Sequence, residues 1–140
     1  MSTLVNPDTG DGFDAPTPAE AYADAPDLRR EMREVMELGA IRDGRRDGVV
    51  TVPPPDAVAA DRVYLLRRAA LMDRLAVEDP GPGARGAAAR AAYELAQFDH
   101  RHPAMTAGRY GPQAIEFDPS QRPYVRQEYA AWTAAGQPGA

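Results

Sequence analysis

The sequence contains no lysine and no cysteine, and its only serines are Ser2 and Ser120. Without lysine, the chain cannot form a Schiff base with a carbonyl or pyridoxal cofactor, and it has no Walker-type lysine for nucleotide phosphates. Without cysteine, thiol nucleophiles, thiolate zinc sites and disulfides are excluded. Neither serine lies in a G-x-S-x-G turn or near a histidine in the sequence, so acyl-transfer chemistry is not expected.

Large aliphatic residues are scarce, and long apolar runs are absent. Leu, Ile, Val and Phe make up 22 of the 140 residues, a fraction at which disorder becomes a serious alternative. Alanine occurs 27 times and can complete a thin core where helices approach closely. No apolar run approaches the roughly 20 residues that a membrane span needs, and the first residues lack the layout of a signal peptide. We therefore expect one soluble, cytoplasmic domain.

Negative charge is concentrated at the start of the chain. Residues 1–26 carry five acidic residues and no arginine, whereas residues 27–140 carry 16 residues of each sign and are formally neutral. This distribution offers no basic surface for phosphate backbones, so it argues against nucleic acids and anionic membranes as partners. Two interpretations of residues 1–26 stay open: a solvated acidic arm, or a strip that docks on a partner through its few apolar side chains. These side chains are Leu4, Val5, Phe13 and Tyr22.

Capping residues and apolar spacing predict an all-α fold. The sequence T-P-A-E at 17–20 is a capping box with proline in the first turn, which predicts a short helix over 18–23. Apolar residues at helical spacing predict longer helices further along the chain. Three of them are predicted over 28–39, 57–78 and 84–101, and the first of these ends at Gly39. A last helix is capped by Asp118, Ser120 or both and ends at Gly136.

Proline-rich segments separate the predicted helices. Residues 41–55 contain R-D-G twice, then V-V-T-V and three prolines, which predicts turns followed by an extended strap or a short edge strand. A minimal two-strand β-ribbon between Val49–Val52 and Ile115–Phe117 is the one β element that we expect. The predicted fold is a small irregular helical bundle of three main helices plus a C-terminal helix. Its parts are an acidic arm (1–26), a helical domain (27–136) and a flexible tail (137–140).

The helix predicted over 57–78 is apolar on two sides, and charged residues separate its two stripes. Such a helix must lie between other helices or between the body of the protein and a second subunit. The following helix offers mostly alanine and can cover only one stripe well, so the helix over 28–39 and the last helix must cover the second stripe. If their apolar residues suffice, the protein is a monomer. We expect that they fall short and that another chain covers the remainder. The predicted interface residues are Val63, Leu66, Ala70, Val77, Tyr124, Tyr129 and Trp132.

Residues 81–86, G-P-G-A-R-G, match the G-x-G-x-x-G pattern of dinucleotide-binding loops. The context differs from that family of sites, because a predicted helix rather than a strand precedes the motif and a proline occupies the tight turn. A linker between two helices is the favoured interpretation. A weaker anion site, made by Arg85 and the amides of the following helix, remains an alternative.

Asp99, His100 and His102 form the one imidazole cluster of the sequence, just before Pro103. In a continuing helix the two rings diverge by about 200°, but an unwound turn could bring them to one metal with Asp99 as a third ligand. The structural interpretation is that these histidines face the negative end of the helix dipole. We favour it because no E-x-x-H pair is present and a tight site needs a further ligand. We therefore predict no catalytic residue, no metal and no cofactor.

These patterns favour a non-enzymatic helical interaction protein. We expect an accessory subunit or a homo-oligomeric adaptor, whose partner is another protein or a second copy, because the core is thin and the longest helix is apolar on two sides. The alternative is a small enzyme, or a ligand or metal sensor, built on Asp99, His100 and His102.

Overall fold

The computed structural model describes residues 5–46, 48, 56–117 and 120–140, and all regular structure in these ranges is helical. This confirms the predicted all-α bundle. The α-helices are α1 (Pro18–Ala21), α2 (Leu28–Arg46), α3 (Ala57–Glu78), α4 (Pro82–Arg101) and α5 (Arg122–Ala134), and single 3₁₀ turns form at Pro103–Met105 and Ile115–Phe117. None of the described helices combines the length and the apolar character that crossing a bilayer requires.

Local capping explains where α1 and α3 begin. The Thr17 hydroxyl accepts a hydrogen bond from the Glu20 amide at 3.2 Å, and the Glu20 carboxylate accepts one from the Thr17 amide at 3.0 Å, as predicted. Asp56 accepts a hydrogen bond from the Ala59 amide at 3.0 Å, and α3 spans the predicted residues. α1 ends two residues earlier than predicted, at Ala21.

The predicted end of α2 at Gly39 is wrong. α2 continues to Arg46, so residues 41–46 are helical and do not form turns. A Cβ atom on Gly39 would lie 3.1 Å from Cε1 of Tyr64, which shows that this glycine permits a close approach of α2 to α3. The Arg42 guanidinium lies over the same ring, 5.4 Å from its centroid. Residues 49–55 of the predicted strap lie outside the described residues.

One of the two strands predicted for the β-ribbon lies in the described part of the chain, and it is not a strand. Ile115–Phe117 forms a 3₁₀ turn, while Val49–Val52 lies outside the described residues. Ile115 is exposed and Phe117 is fully buried, so this turn fixes one aromatic side chain in the core.

α4 and α5 also begin differently from the prediction. α4 starts at Pro82, two residues early, so most of the G-P-G-A-R-G segment is helical. α5 starts after Gln121, which has a left-handed φ of 59°. The Ser120 hydroxyl accepts a hydrogen bond from the Arg122 amide at 3.4 Å, whereas Asp118, the other predicted cap, lies outside the described residues.

Alanine faces bring α3 and α4 together. Ala69 and Ala76 of α3 and Ala88, Ala92 and Ala96 of α4 are fully buried. Because these side chains are small, the two helix backbones can approach closely, and few large aliphatic residues are needed to close the core. Larger side chains from α3, α4, α5 and the second 3₁₀ turn complete it, among them Leu66, Leu95, Phe117 and Trp132.

The second apolar stripe of α3 is covered within one chain, which corrects the expectation of a free face there. α5 lies across this helix, and six of the seven predicted interface residues have at most 7% of their surface exposed. They are Val63, Leu66, Ala70, Tyr124, Tyr129 and Trp132, and the seventh, Val77, is half-buried. α5 of the same chain therefore packs against α3, and most of the residues predicted for the interface belong to the core of the described chain.

Residues 5–26 and the C-terminal tail both contact the helical body. Asp8 pairs with Arg122 at 2.7 Å, and Asp14 pairs with Arg109 at 2.7 Å. The Trp132 indole donates a hydrogen bond to the Pro138 carbonyl at 3.0 Å. The acidic arm therefore neutralises arginines of its own chain.

Candidate functional site: a buried arginine network and the open face of α2

The first two turns of α5 are buried on all sides. Every residue from Arg122 to Tyr129 has at most 7% of its surface exposed, although several of them are charged or polar. Buried charges persist only when they are paired and hydrogen-bonded, so α5 must find carboxylates inside the protein. α3 and α4 supply them through Asp73 and Asp99, both fully buried.

Asp73 is the centre of the first cluster. Arg126 binds its carboxylate with two hydrogen bonds, from Nε at 2.8 Å and from Nη2 at 2.9 Å. Arg122 donates from Nε at 2.7 Å, and the Tyr22 hydroxyl donates at 2.5 Å. Four donors thus converge on one carboxylate and join the arm, α3 and α5.

The two arginines of this cluster keep hydrogen-bond donors that Asp73 does not use. Arg122 and Arg126 are both buried, and the Nη2 atom of Arg122 and the Nη1 atom of Arg126 have no hydrogen-bond partner among the described residues. Arg126 also donates from Nη2 to the Pro7 carbonyl. Buried guanidinium nitrogens without acceptors are uncommon, so these two donors set the cluster apart from the fully paired Arg62 and Asp99.

Asp8 supplies the second carboxylate of this cluster. Its Oδ1 accepts from Arg122 Nη1 at 2.7 Å, and its Oδ2 lies 2.9 Å from Nη2 of Arg85, an exposed residue of α4. Partial burial by itself would raise the pKa of Asp8, but the hydrogen bonds and charges of Arg122 and Arg85 hold this pKa below its ordinary value. Asp8, Arg85 and Arg122 line a cleft of about 610 Å³, together with Asn6 and Ser120.

A second cluster forms around Asp99 on the other side of α5. Arg62 donates to both oxygens of Asp99, from Nε at 3.0 Å and from Nη2 at 2.8 Å, and from Nη2 to Glu128 at 2.8 Å. The Tyr124 hydroxyl donates to Asp99 at 2.6 Å. Burial and this hydrogen bond raise the pKa of Tyr124 above its ordinary value.

Glu128 and Gln127 of α5 fix the loop that follows α4. The Glu128 carboxylate accepts from the Ala107 amide at 2.9 Å and from the Gly108 amide at 2.8 Å. Gln127 exchanges two hydrogen bonds with the Tyr110 backbone, at 3.0 Å and 2.8 Å. The loop is therefore held through its backbone by two side chains of one helix.

The structure does not bring the histidine cluster together as a site. Asp99 is engaged by Arg62 and Tyr124, His100 is exposed, and the His102 ring packs on Phe98 with centroids 4.5 Å apart. No group of three acidic or histidine side chains suited to a metal ion occurs within residues 5–46, 48, 56–117 and 120–140. Nothing in this arrangement favours the alternative of an enzyme or metal sensor at these residues.

α2 carries three exposed large apolar side chains, Met32, Met36 and Ile41, whereas α3 and α4 carry one each among the described residues. Met36 is 75% exposed and Met32 is 42% exposed, one turn apart. They border a groove of about 490 Å³ between α2 and α3, whose other wall includes Leu71 and Met72. Arg29 and Asp43 are also exposed, and neither has an ion-pair partner in the described part of the chain.

Sequence reasoning missed the arginine network, although one signal was available. Asp73 lies seven residues after Leu66, and Asp99 lies seven residues after Ala92, so both carboxylates occur on apolar stripes at helical spacing. A charge on such a stripe must be paired inside the fold. The sequence did not predict which residues pair with Asp73, because Arg122 and Arg126 are distant from it in the sequence.

No protein-family model, curated protein or solved structure matches this chain. Function must therefore be inferred from its own residues.

Proposed function

We propose that this protein is a small non-enzymatic interaction protein, an adaptor that self-associates through the exposed face of α2. The supporting observation is one stripe on that face, which runs from Arg29 through Met32 and Met36 to Asp43. The proposal includes a cytoplasmic location, which fractionation of native cells would test.

The stripe is complementary to itself when two copies meet in opposite directions. Arg29, Met36 and Asp43 are each seven residues apart, and a straight α-helix drifts by only about 20° over seven residues, so the three lie on one line. A two-fold axis at Met36 places Arg29 of one copy opposite Asp43 of the second copy, and the same pair forms again by symmetry. The methionines meet in the centre, where flexible side chains adapt to one another.

Exposed methionines next to a groove supply the apolar part of such an interface. The described residues leave Met36 75% exposed, and the groove wall continues onto α3 through Leu71 and Met72. An apolar centre with charged ends is the usual layout of a protein interface. The neutral charge of residues 27–140 adds little repulsion between copies.

Light scattering and sedimentation equilibrium from low to high micromolar concentration test the proposal. We expect a monomer–dimer equilibrium in which Met36→Glu raises the dissociation constant roughly tenfold or more. Ile115→Glu is the matched control, because Ile115 is an exposed apolar residue on another element, and it should leave the equilibrium unchanged.

A charge swap tests the antiparallel arrangement itself. Arg29→Asp and Asp43→Arg should each weaken the dimer by placing like charges opposite each other, and the double variant should restore it. A chain that stays monomeric at every concentration would contradict self-association and leave the accessory-subunit version, with a different protein on α2. A dimer whose dissociation constant changes with neither substitution would show that the two copies do not meet through this face of α2.

A further inference from the structure

We propose that the cleft between the acidic arm and α4 is a binding site for a small phosphate monoester, and that Asp8 is its internal occupant. The cleft has a volume of about 610 Å³, which suits a small ligand. This site is separate from the α2 face and does not depend on self-association.

The charges around the cleft favour a dianion. Arg85, Arg122 and Arg126 contribute three positive charges, and Asp8 and Asp73 contribute two negative charges, which leaves one positive charge in excess. Asp73 is fully buried and committed to both α5 arginines, whereas the Asp8 side chain is 17% exposed and belongs to the arm. Asp8 is therefore the anion that another anion can replace.

Asp8 also leaves one of the nearby guanidinium donors without an acceptor in the described part of the chain. Asp8 has two oxygens and gives one to Arg122 and one to Arg85, while Nη2 of Arg122 keeps no acceptor among the described residues. A phosphate monoester has three terminal oxygens and can accept from both arginines and from a further donor. The Ser120 hydroxyl lines the same cleft, outside the segment that carries Asp8, and adds a neutral donor.

Displacement of Asp8 would release the segment around it. The turn at residues 6–11 is closed by its own hydrogen bonds, from the Asn6 amide to Asp11 at 2.9 Å and from the Gly10 amide to Asn6 at 2.8 Å. It is joined to the body through Asp8 and through the Pro7 carbonyl, which accepts from Arg126. Binding of an anion is thereby coupled to undocking of the arm.

Competition with Asp8 predicts how variants bind inorganic phosphate. An internal occupant reduces the apparent affinity by the fraction of molecules in which it has left the site. Asp8→Asn should therefore bind phosphate about tenfold more tightly than the natural chain, measured by calorimetry with sodium chloride at matched ionic strength. Acetate, with one charge and two oxygens, should bind more weakly than phosphate.

Two substitutions distinguish phosphate binding at this cleft from a general effect of the protein's net charge. Arg85→Ala should lose phosphate binding in the Asp8→Asn background, and it should fold because the Arg85 side chain is 54% exposed. Asp14→Asn removes a different contact of the arm, with Arg109, and should leave phosphate affinity unchanged.

Hydrogen exchange provides a readout in the unsubstituted chain. Phosphate should accelerate amide exchange in residues 5–11, and sodium chloride at the same ionic strength should not. Absence of phosphate binding to Asp8→Asn, binding that survives Arg85→Ala, or an equal gain from Asp14→Asn would each overturn the proposal.

Discussion

Asp73 is the residue through which α3, α5 and the arm are electrostatically joined. Its carboxylate accepts hydrogen bonds from Arg122, Arg126 and Tyr22, and no part of it reaches solvent. Removing a buried carboxylate leaves its cations uncompensated in a medium that solvates them poorly. The stability of the fold should therefore depend on this side chain more than on any exposed acidic residue.

The substitution Asp73→Ala tests this dependence. We expect it to lower the free energy of unfolding by about 3–5 kcal/mol in urea titrations, because two buried guanidinium groups lose their partner. Glu94→Ala is the control, since its pair with Arg68 at 2.6 Å is largely exposed, and exposed pairs contribute about 0–1 kcal/mol. Equal losses in the two variants would show that Asp73 has no special role.

At the scale of elements, α5 organises the loop between α4 and itself. Glu128 and Gln127 bind three backbone amides of residues 107–110, and Phe117 enters the core from the end of the same loop. Because these contacts are made to the backbone, the loop tolerates little displacement toward α5. Gly108 is where the backbone of this loop packs directly against the Gln127 side chain.

The substitution Gly108→Ala probes this approach. A Cβ atom there would lie 2.1 Å from Nε2 of Gln127, whose hydrogen bonds prevent it from moving without loss. We expect a loss of about 1–3 kcal/mol, as for other overpacked sites, and faster hydrogen exchange at residues 107–110. Gly111→Ala, which meets no atom within 4 Å, should change stability by less than about 0.5 kcal/mol.

At the scale of the whole molecule, tyrosines with raised pKa values make the fold sensitive to alkali, and Tyr22 and Tyr124 are two of them. Burial, together with the charge and hydrogen bond of Asp73, raises the pKa of Tyr22 well above its ordinary value. Burial and Asp99 raise the pKa of Tyr124 in the same way. Above the pKa of the unfolded chain, near 10, the unfolded state releases protons that the folded state retains, so stability falls as the pH rises.

Urea unfolding between about pH 8 and pH 11 measures this effect. Above pH 10, each tyrosine whose pKa is raised should lower the free energy of unfolding by about 1.4 kcal/mol per pH unit. Tyr124→Phe should remove one such contribution. Tyr93→Phe is the control for the loss of a hydroxyl group, because this residue is 56% exposed and makes no hydrogen bond to a carboxylate among the described residues. If Tyr124→Phe leaves the loss of stability above pH 10 unchanged, Tyr124 is not one of the groups that cause it.

The sequence by itself determined the helical class, the extent of α3 and the caps of α1 and α3. These features depend on neighbours in the chain: Thr17 and Glu20 are three residues apart, and Asp56 caps the turn that follows it. Alanine spacing likewise predicted that α4 could approach α3 closely. Local hydrogen bonding and periodicity suffice for such features.

Only the tertiary structure decided what Gly39, Asp73 and α5 do. Gly39 has the sequence signature of a helix end, but the ring of Tyr64 makes it a contact point inside α2. The partners of Asp73 lie about 50 residues away in the sequence, at Arg122 and Arg126. Pairing of buried charges depends on distance in space, which no local pattern encodes, so the partners of Asp73 followed only from the way α5 packs against α3.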